Sequence, residues 1–200
     1  SKGDAEKVKI PLPPLDKQQE IVDEIEQYQR VIDGAKQVIE NFKFTYKIED
    51  SWKEFSIEEI CSFSYGKSLK ASDRKSGPYD VYGSNGVVDT HDSFLVEHPF
   101  IVIGRKGTAG AVHFSRKNGY PIDTTFYISN DDLKIKEIEL KFLYLALNNL
   151  NLDKASSDQT VPGLNRNDAY TKTIKLPPLD EQRKIIKLYE DQIAILESNK

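Results

Sequence analysis

Apolar residues recur along the first part of the chain at alternating steps of four and three positions. This spacing places them on one narrow stripe of a helix, the a and d positions of a coiled coil, with charged residues between them. The pattern predicts a helix from about Lys17 to Phe42 or Lys43, and its apolar seam needs a partner helix because it cannot remain in water. The seam consists of Ile21, Ile25, Tyr28, Ile32, Ala35, Ile39 and Phe42.

A second helix is predicted near the end of the chain, and both helices follow the same sequence, Leu-Pro-Pro-Leu-Asp-x-Gln. The two copies lie 164 positions apart. Their prolines exclude helix on the preceding side, and the Asp that follows them is placed to cap a helix, so we expect Asp16 and Asp180 to be N-caps. The second seam keeps the phase of the first and is cut short by the end of the sequence at Lys200; it consists of Ile185, Tyr189, Gln192 and Leu196.

The two seams predict self-association, most simply as a two-fold dimer with antiparallel helices. The alternative is that both are ordinary amphipathic helices that pack on the domain between them. At the helix-pairing interface we expect the side chains of Ile21, Ile25, Tyr28, Ile32, Ile39, Phe42, Ile185, Tyr189 and Leu196.

Between the helices the pattern changes to short apolar runs separated by turn residues. Glycine-rich turns at 83–86 and 104–110 each join two such runs and predict two β-hairpins. A further strand is predicted at 124–128, a helix at 139–149, and a polar loop at 156–167. Short strands with one covering helix indicate a mixed, partly β domain.

The predicted fold is therefore α+β, a partly β domain flanked by long coiled-coil-forming helices. We expect three parts: a leader and long helix at 1–45, the mixed domain at 46–173, and the shortened second helix at 174–200. The absence of methionine, even at position 1, leads us to expect that this chain is an internal piece of a longer protein.

Positive charge is concentrated in the middle of the chain. The 200 residues carry a net charge of −4, but residues 65–118 hold eight bases against five acids, whereas residues 16–43 hold four bases against seven acids. Any surface that attracts an anion is therefore expected in the middle domain. A single cysteine and the lack of a long apolar run or a signal peptide predict a cytoplasmic protein.

The turn Gly104-Arg105-Lys106-Gly107-Thr108-Ala109-Gly110 is the clearest candidate for chemistry. It is not a nucleotide-binding loop, because its glycines have the wrong spacing and a strand rather than a helix follows. A hairpin turn that offers Arg105, Lys106 and Thr108 to nucleic acid fits better, since these side chains suit both phosphates and base edges. The alternative is a solvated turn with no function.

Catalysis by this chain is not supported. Asp123, Glu139 and Lys141 resemble the carboxylate-lysine pattern of metal-dependent nucleases, but Glu139 and Lys141 fall in a predicted surface helix, where ordinary surface charge explains them. The three histidines lack metal-ligand spacing, so no metal site is expected, and Cys61 is expected to be a buried small apolar residue.

Taken together, the motifs resemble the specificity (S) subunit of Type I restriction-modification enzymes. The resemblance covers nearly the whole chain and is far more specific than any one motif. It is carried by the two Leu-Pro-Pro-Leu-Asp-x-Gln copies and by three further stretches, Gly77-Pro-Tyr-Asp-Val-Tyr-Gly-Ser-Asn-Gly86, Val102-Ile-Gly-Arg-Lys-Gly-Thr-Ala-Gly110 and Gln159-x-x-Pro-Gly163.

The resemblance implies a non-enzymatic module for sequence-specific recognition of double-stranded DNA. In that family two target-recognition domains each read half of a split site, and conserved antiparallel helices set the spacing between the halves. Modification subunits bind S-adenosylmethionine and methylate adenine, while restriction subunits use ATP with Mg. This chain has one recognition domain, so it resembles half of such a subunit, most like the C-terminal half, and is expected to bind no cofactor itself.

Side-chain type and loop position suggest which residues contact DNA. For phosphates we expect Lys67, Lys70, Arg74, Lys75, Arg105, Lys106, Lys117 and Arg166. For base edges we expect Ser84, Asn85, Arg105, Thr108, Thr124, Thr125, Gln159 and Asn165.

Two other classes of function remain as alternatives, a metal-dependent nuclease and a purely structural coiled-coil adaptor. Metal-dependent cleavage by the purified chain would favour the nuclease. A lack of DNA affinity, even with modification subunits present, would favour the adaptor.

Overall fold

The computed structural model describes residues 12–40, 42–152 and 163–198, without the side chains of residues 39 and 40. The chain forms two compact units, residues 1–43 and residues 44–200. Each unit is described by itself below.

A single long helix, α1 (Leu15–Glu40), makes up the described secondary structure of the first unit. Its first hydrogen bond runs from the Gln18 amide to the carbonyl of Pro14, 3.0 Å away, so Pro14 occupies the N-cap position. The N-cap role predicted for Asp16 is therefore wrong. Asp16 lies inside the first turn, where a carboxylate is favourable next to the positive end of the helix dipole.

The second unit contains nine short strands among its described residues, in three small sheets. The strands are β1 (Lys53–Ser56), β2 (Ser64–Tyr65), β3 (Tyr79–Gly83), β4 (Gly86–His91), β5 (Phe100–Gly104), β6 (Val112–Ser115), β7 (Gly119–Pro121), β8 (Thr125–Ser129) and β9 (Thr173–Leu176). One sheet has the order β2-β8-β5-β6, the second has the order β4-β3-β7, and β1 pairs with β9.

Both predicted hairpins are confirmed. Strands β3 and β4 pair antiparallel around the turn at 83–86, and β5 and β6 pair antiparallel around the loop at 104–110. The predicted strand at 124–128 is β8, which pairs antiparallel with β5. Strand β7 lies parallel to β3. It was not predicted, because a three-residue strand lacks a periodic signal of its own.

Four α-helices accompany the strands in the described part of the second unit: α2 (Ile57–Ile60), α3 (Leu140–Asn149), α4 (Arg166–Tyr170) and α5 (Leu179–Ser198). Helix α3 confirms the prediction at 139–149. The predicted polar loop at 156–167 is wrong at its end, because α4 begins at Arg166, where the side chain of Asn165 accepts a hydrogen bond from the Asn167 amide and caps the helix. The rest of that loop, 153–162, lies outside the described residues.

The central strand β5 is buried on both faces. Ile101 and Ile103 face the main core, which α3 closes with Phe142 and Leu143. Phe100 and Val102 face a smaller apolar cluster, as the two-residue alternation of a strand requires. The predicted α+β fold is confirmed. No described helix has the length and apolar character needed to cross a membrane.

Helix α5 starts as α1 does. The carbonyl of Pro178 accepts hydrogen bonds from the amides of Glu181 and Gln182, at 2.9 and 3.0 Å, so Pro178 takes the N-cap position. Asp180 lies in the first turn, and its predicted N-cap role is also wrong. The two copies of the repeated sequence therefore build the same helix start.

Candidate nucleic-acid interface

Loop 104–110 is a closed turn whose shape requires glycine at its first position. The Gly104 amide donates to the Ala111 carbonyl and the Gly110 amide donates to the Gly104 carbonyl, both at 2.8 Å. A Cβ on Gly104 would collide with the carbonyl oxygen of Thr108 and lie 2.8 Å from that of Ser84. The loop is therefore packed closely against its own backbone and against the turn at 83–86.

The carbonyl oxygen of Thr124 joins three loops. It accepts hydrogen bonds from the amides of Arg105 and Lys106, at 2.9 and 3.2 Å, and from the hydroxyl of Ser84, at 2.7 Å. The segment before α4 joins the same edge, because the Leu164 amide donates to the Arg105 carbonyl at 2.8 Å. Loops 83–86, 104–110, 122–125 and 163–166 thus meet at one edge of the domain, which we call the loop edge.

The loop edge carries most of the predicted base-contacting side chains. Of these, Asn85, Thr108 and Asn165 are exposed there, and Thr124 and Arg105 are half-buried. The predicted phosphate contact Lys106 is also exposed at this edge. Lys67 belongs to the same edge, since its amide donates to the carbonyl of Pro121 and its side chain is exposed.

Two predicted base contacts, Ser84 and Thr125, are buried. The Ser84 hydroxyl donates to the carbonyl of Thr124, and the Thr125 hydroxyl donates to that of Ile122 at 2.7 Å. A buried hydroxyl that has already donated its hydrogen is not available to a base. We therefore assign both residues to holding the loop edge together.

Three predicted phosphate contacts lie away from the loop edge. Arg74 is paired at 3.3 Å with Asp89, a residue of β4, and Lys75 lies 3.7 Å from Asp92. Lys70, which precedes them in the sequence, is exposed. Lys117 follows β6 at the end of the β5–β6 hairpin opposite to loop 104–110. Gln159, the remaining predicted base contact, lies outside the described residues.

Sequence reasoning missed Tyr65, a half-exposed aromatic residue on the loop edge. The guanidinium carbons of Arg105 and Arg166 lie 5.3 and 5.2 Å from the centroid of its ring. The only sequence signal is an aromatic residue beside Gly66 and Lys67, since the two arginines are far from Tyr65 along the chain.

His113 lies beneath the turn at 83–86. A Cβ on Gly86 would come within 3.3 Å of the His113 ring, and the Gly86 φ of 98° also favours glycine. Burial lowers the pKa of His113, and a hydrogen bond with the backbone of Ser84 acts in the opposite direction. Its Nε2 is buried and has no hydrogen-bond partner among the described residues.

The arrangement of Asp123, Glu139 and Lys141 does not support the nuclease alternative. Glu139 accepts a hydrogen bond from Arg183 at 3.0 Å, and Lys141 pairs with Glu190, so both residues tie α3 to α5. Asp123 is exposed on the loop that precedes β8. Within the described ranges, no group of three His, Cys, Asp or Glu side chains could hold a metal ion. Cys61 is buried, which raises its pKa to about 12.

The two predicted helix seams differ in exposure. On α1, Ile21, Ile25, Tyr28 and Ile32 are exposed by 48–61%, and the side chain of Ile39 is not described. Phe42, at the predicted end of the helix, is half-buried and lies beyond the end of α1 at Glu40. On α5, Ile185 packs against the core of its own unit, and the Tyr189 ring lies 5.3 Å from that of Phe44. Intradomain packing thus occupies Ile185 and Tyr189, while Leu196, near the helix end, is half-buried.

Solved structures share this fold. The S subunit of a Type I restriction-modification system from M. genitalium superposes with a TM-score of 0.63 and 19% identity, over 92% of this chain and 53% of that one. The HsdS subunit from Thermoanaerobacter tengcongensis gives a TM-score of 0.55 and 17% identity, over 96% of this chain and 55% of that one.

A structure described as the basis of complex assembly and conformational transition of the type I R-M system gives a TM-score of 0.61 and 17% identity. It is matched over 94% of this chain and 54% of its own length, so this chain spans about half the length of each of these three proteins. No curated protein sequence matches the chain. The family described as the Type I restriction modification DNA specificity domain matches residues 1–41 and 49–200, and the chain belongs to that family.

Proposed function

We propose that this chain recognises DNA as part of the specificity subunit of a Type I restriction-modification system and reads one half of a bipartite site. The observation that carries the proposal is the loop edge, where Arg105, Lys106 and Arg166 converge from separate parts of the sequence. Family membership supports it, because the family is described as a DNA specificity domain. Cationic side chains on adjoining loops are the chemistry that double-stranded DNA requires.

The partners belong to the same proposal. Modification subunits bind S-adenosylmethionine and methylate adenine, restriction subunits use ATP with Mg, and this chain holds them at the site without catalysis or a cofactor of its own. Assembly of a type I R-M system is the subject of one of the similar structures. The engagement of Glu139 and Lys141 in ion pairs with α5 also supports a non-catalytic role.

A pair of double variants tests the loop edge. Replacing Arg105 and Lys106 by Ala should weaken binding to duplex DNA and reduce the slope of log affinity against log salt by up to about two. Arg116 and Lys117 form a matched control, because the same two residue types lie at the opposite end of the same hairpin. Equal losses from both double variants would contradict a DNA interface at the loop edge.

Methylation tests the division of labour. Adenine methylation should appear only when a separate modification subunit is added, because the target base is flipped into that partner's pocket. Mapping methylated adenines in a host that carries the gene would also give the recognised sequence. Methylation by the purified chain alone would overturn the non-catalytic role.

A further inference from the structure

Tyr65 is held in place by the core beneath it. It is paired with Phe126 in the β2–β8 register, and the two rings meet edge to face, with centroids 5.0 Å apart. Phe126 is buried, whereas 49% of Tyr65 is exposed. The Tyr65 ring is therefore fixed on one side and open to a ligand on the other.

Two arginines from distant parts of the sequence both lie over the Tyr65 ring. Arg105 follows β5, and its guanidinium carbon lies 5.3 Å from the Tyr65 centroid and 5.9 Å from that of Phe126. Arg166 opens α4, and its guanidinium carbon lies 5.2 Å from the Tyr65 centroid and 5.8 Å from that of Tyr170. The two guanidiniums are therefore within about 10.5 Å of each other, the sum of their distances to the shared ring.

The pair carries positive charge that the described protein does not neutralise. In the ranges that the structure describes, neither arginine has a carboxylate within salt-bridge distance, and the Nε of Arg166 is buried without a hydrogen-bond partner. Contact with an aromatic face leaves the in-plane N–H groups of a guanidinium available to an acceptor. An anion that contacts both guanidiniums would be attracted by both charges and could accept hydrogen bonds from their N–H groups.

We propose that Arg105, Tyr65 and Arg166 form a preassembled cluster that binds the phosphate backbone of one DNA strand, with Tyr65 as the residue that positions both arginines. The inference deepens the proposed function and rests on it. A phosphate is favoured over a base edge because it is an anion and accepts the forked hydrogen bonds of arginine, whereas a base edge is neutral. The ring restrains both side chains before DNA arrives, so less freedom is lost on binding.

Substitutions at Tyr65 separate positioning from charge. Tyr65→Leu removes the ring but no charge, and should lower affinity for random-sequence duplex DNA about tenfold. It should also reduce the salt slope by about 0.9 for each arginine that leaves its phosphate. Tyr65→Phe keeps the ring and should restore both values to those of the wild type. A merely structural tyrosine would not change the salt slope.

Tyr79 supplies a matched control. Its ring meets that of Phe94 edge to face with centroids 5.0 Å apart, the same distance as in the Tyr65–Phe126 pair, and among the described residues no cationic side chain lies over it. Tyr79→Leu should leave the salt slope unchanged. If Tyr65→Leu unfolds, the double variant Arg105→Lys and Arg166→Lys replaces it, since lysine keeps the charge but loses the fork and should also weaken binding.

The outcomes distinguish this inference from the proposed function. Wild-type chain that binds no duplex DNA, alone or with modification subunits, would remove the proposed function. Wild-type binding with an unchanged affinity and salt slope in Tyr65→Leu and in the double lysine variant would overturn the cluster alone. A loss confined to one preferred DNA sequence, with random-sequence binding intact, would overturn the phosphate assignment in favour of base contact.

Discussion

The glutamine of the repeated Pro-Pro-Leu-Asp-x-Gln sequence lies in a different environment in each of the two copies. Gln182 is fully buried, and its side chain donates to the carbonyls of Pro177 and Glu137 and accepts from the amide of Glu139. Gln18 makes the matching bond to the carbonyl of Pro13 at 2.7 Å, but is half-buried. The residue thus braces its own helix start in both copies, and in the second copy it also anchors the segment before α3.

Replacing Gln182 by Ala should destabilise the second unit strongly. The change leaves the part-buried amide of Glu139 and the carbonyl of Glu137 without their partner and opens a cavity where the buried side chain was, at a cost of about 2–4 kcal/mol in the free energy of unfolding. Urea unfolding followed by Trp52 fluorescence measures it. Gln18→Ala is the control and should leave that transition within about 0.5 kcal/mol of the wild type. A similar loss in both variants would mean that the shared local bond, rather than the buried anchor, carries the energy.

His113 should make stability depend on pH. Because burial lowers its pKa in the folded state below the ordinary 6.5, the unfolded chain takes up a proton first as pH falls. The stabilisation is complete above the ordinary value and is lost as pH falls from there towards the folded pKa. The urea midpoint should therefore decrease between about pH 7.5 and pH 5.5.

Replacing His113 by Gln should flatten this dependence. The carboxyls of Asp50, Glu59 and Asp89, whose pKa values are lowered by hydrogen bonds and nearby charge, affect stability only at lower pH. His98→Gln, at an exposed position, is the control and should retain the decrease. An unchanged pH profile in His113→Gln would show that His113 is not its source.

Among the elements, those with a local signal could be predicted and those without one could not. The hairpins around 83–86 and 104–110 were predicted because their glycines lie in the turns themselves. Helix α2 was missed although its capping box, formed by Ser56 and Glu59, is visible as Ser-x-x-Glu, because a four-residue helix has no periodicity. The packing of α5 on its own domain was predicted only as the alternative to helix pairing, since an apolar stripe does not identify the surface that covers it.

The exposed seam of α1 should control self-association. Replacing Ile25 and Ile32 by Asp places charges where a partner helix would pack, and should convert a dimer into a 22.8 kDa monomer in sedimentation velocity at micromolar concentration. The second unit should keep its unfolding transition, because both residues lie in the first unit.

Gln19 and Gln27 provide a control on the opposite side of α1. Replacing both by Asp adds the same charge away from the seam and should leave the dimer intact. A wild-type chain that sediments only as a monomer would contradict self-association through this seam.

Across the whole molecule, the proposed DNA-binding site was predictable only where it is local. Arg105, Lys106 and Thr108 could be chosen because one loop presents them. Tyr65 and Arg166 join that loop through contacts between residues far apart in the sequence, which neither composition nor spacing reveals. Conversely, Arg74 and Lys117 have the right charge, but the folded chain places them elsewhere.

The length of α1 should set the spacing between the two halves of the DNA site. Inserting seven residues between Arg30 and Val38 lengthens a continuous helix by about 10.5 Å and roughly preserves the seam. Since DNA rises about 3.4 Å per base pair, the methylated site should gain about three unspecified base pairs and keep its specified bases. Mapping methylated adenines measures the gap. An insertion of five residues turns the following seam by about 140° and should instead impair assembly.

A changed half-site sequence with an unchanged gap would contradict this role of α1. The control for expression is the same heptad inserted after Ser198, beyond the last described turn of α5.

Strands β1 and β9 pair along their whole length, with Lys53 opposite Leu176 and Ser56 opposite Thr173. The points at which the chain enters and leaves the intervening region are therefore neighbours, whatever sequence connects them. In genetic terms the region between the two strands is a cassette. Recombination within the codons for β1 and β9 would exchange the region that carries the proposed DNA site and leave the pairing of the two strands intact.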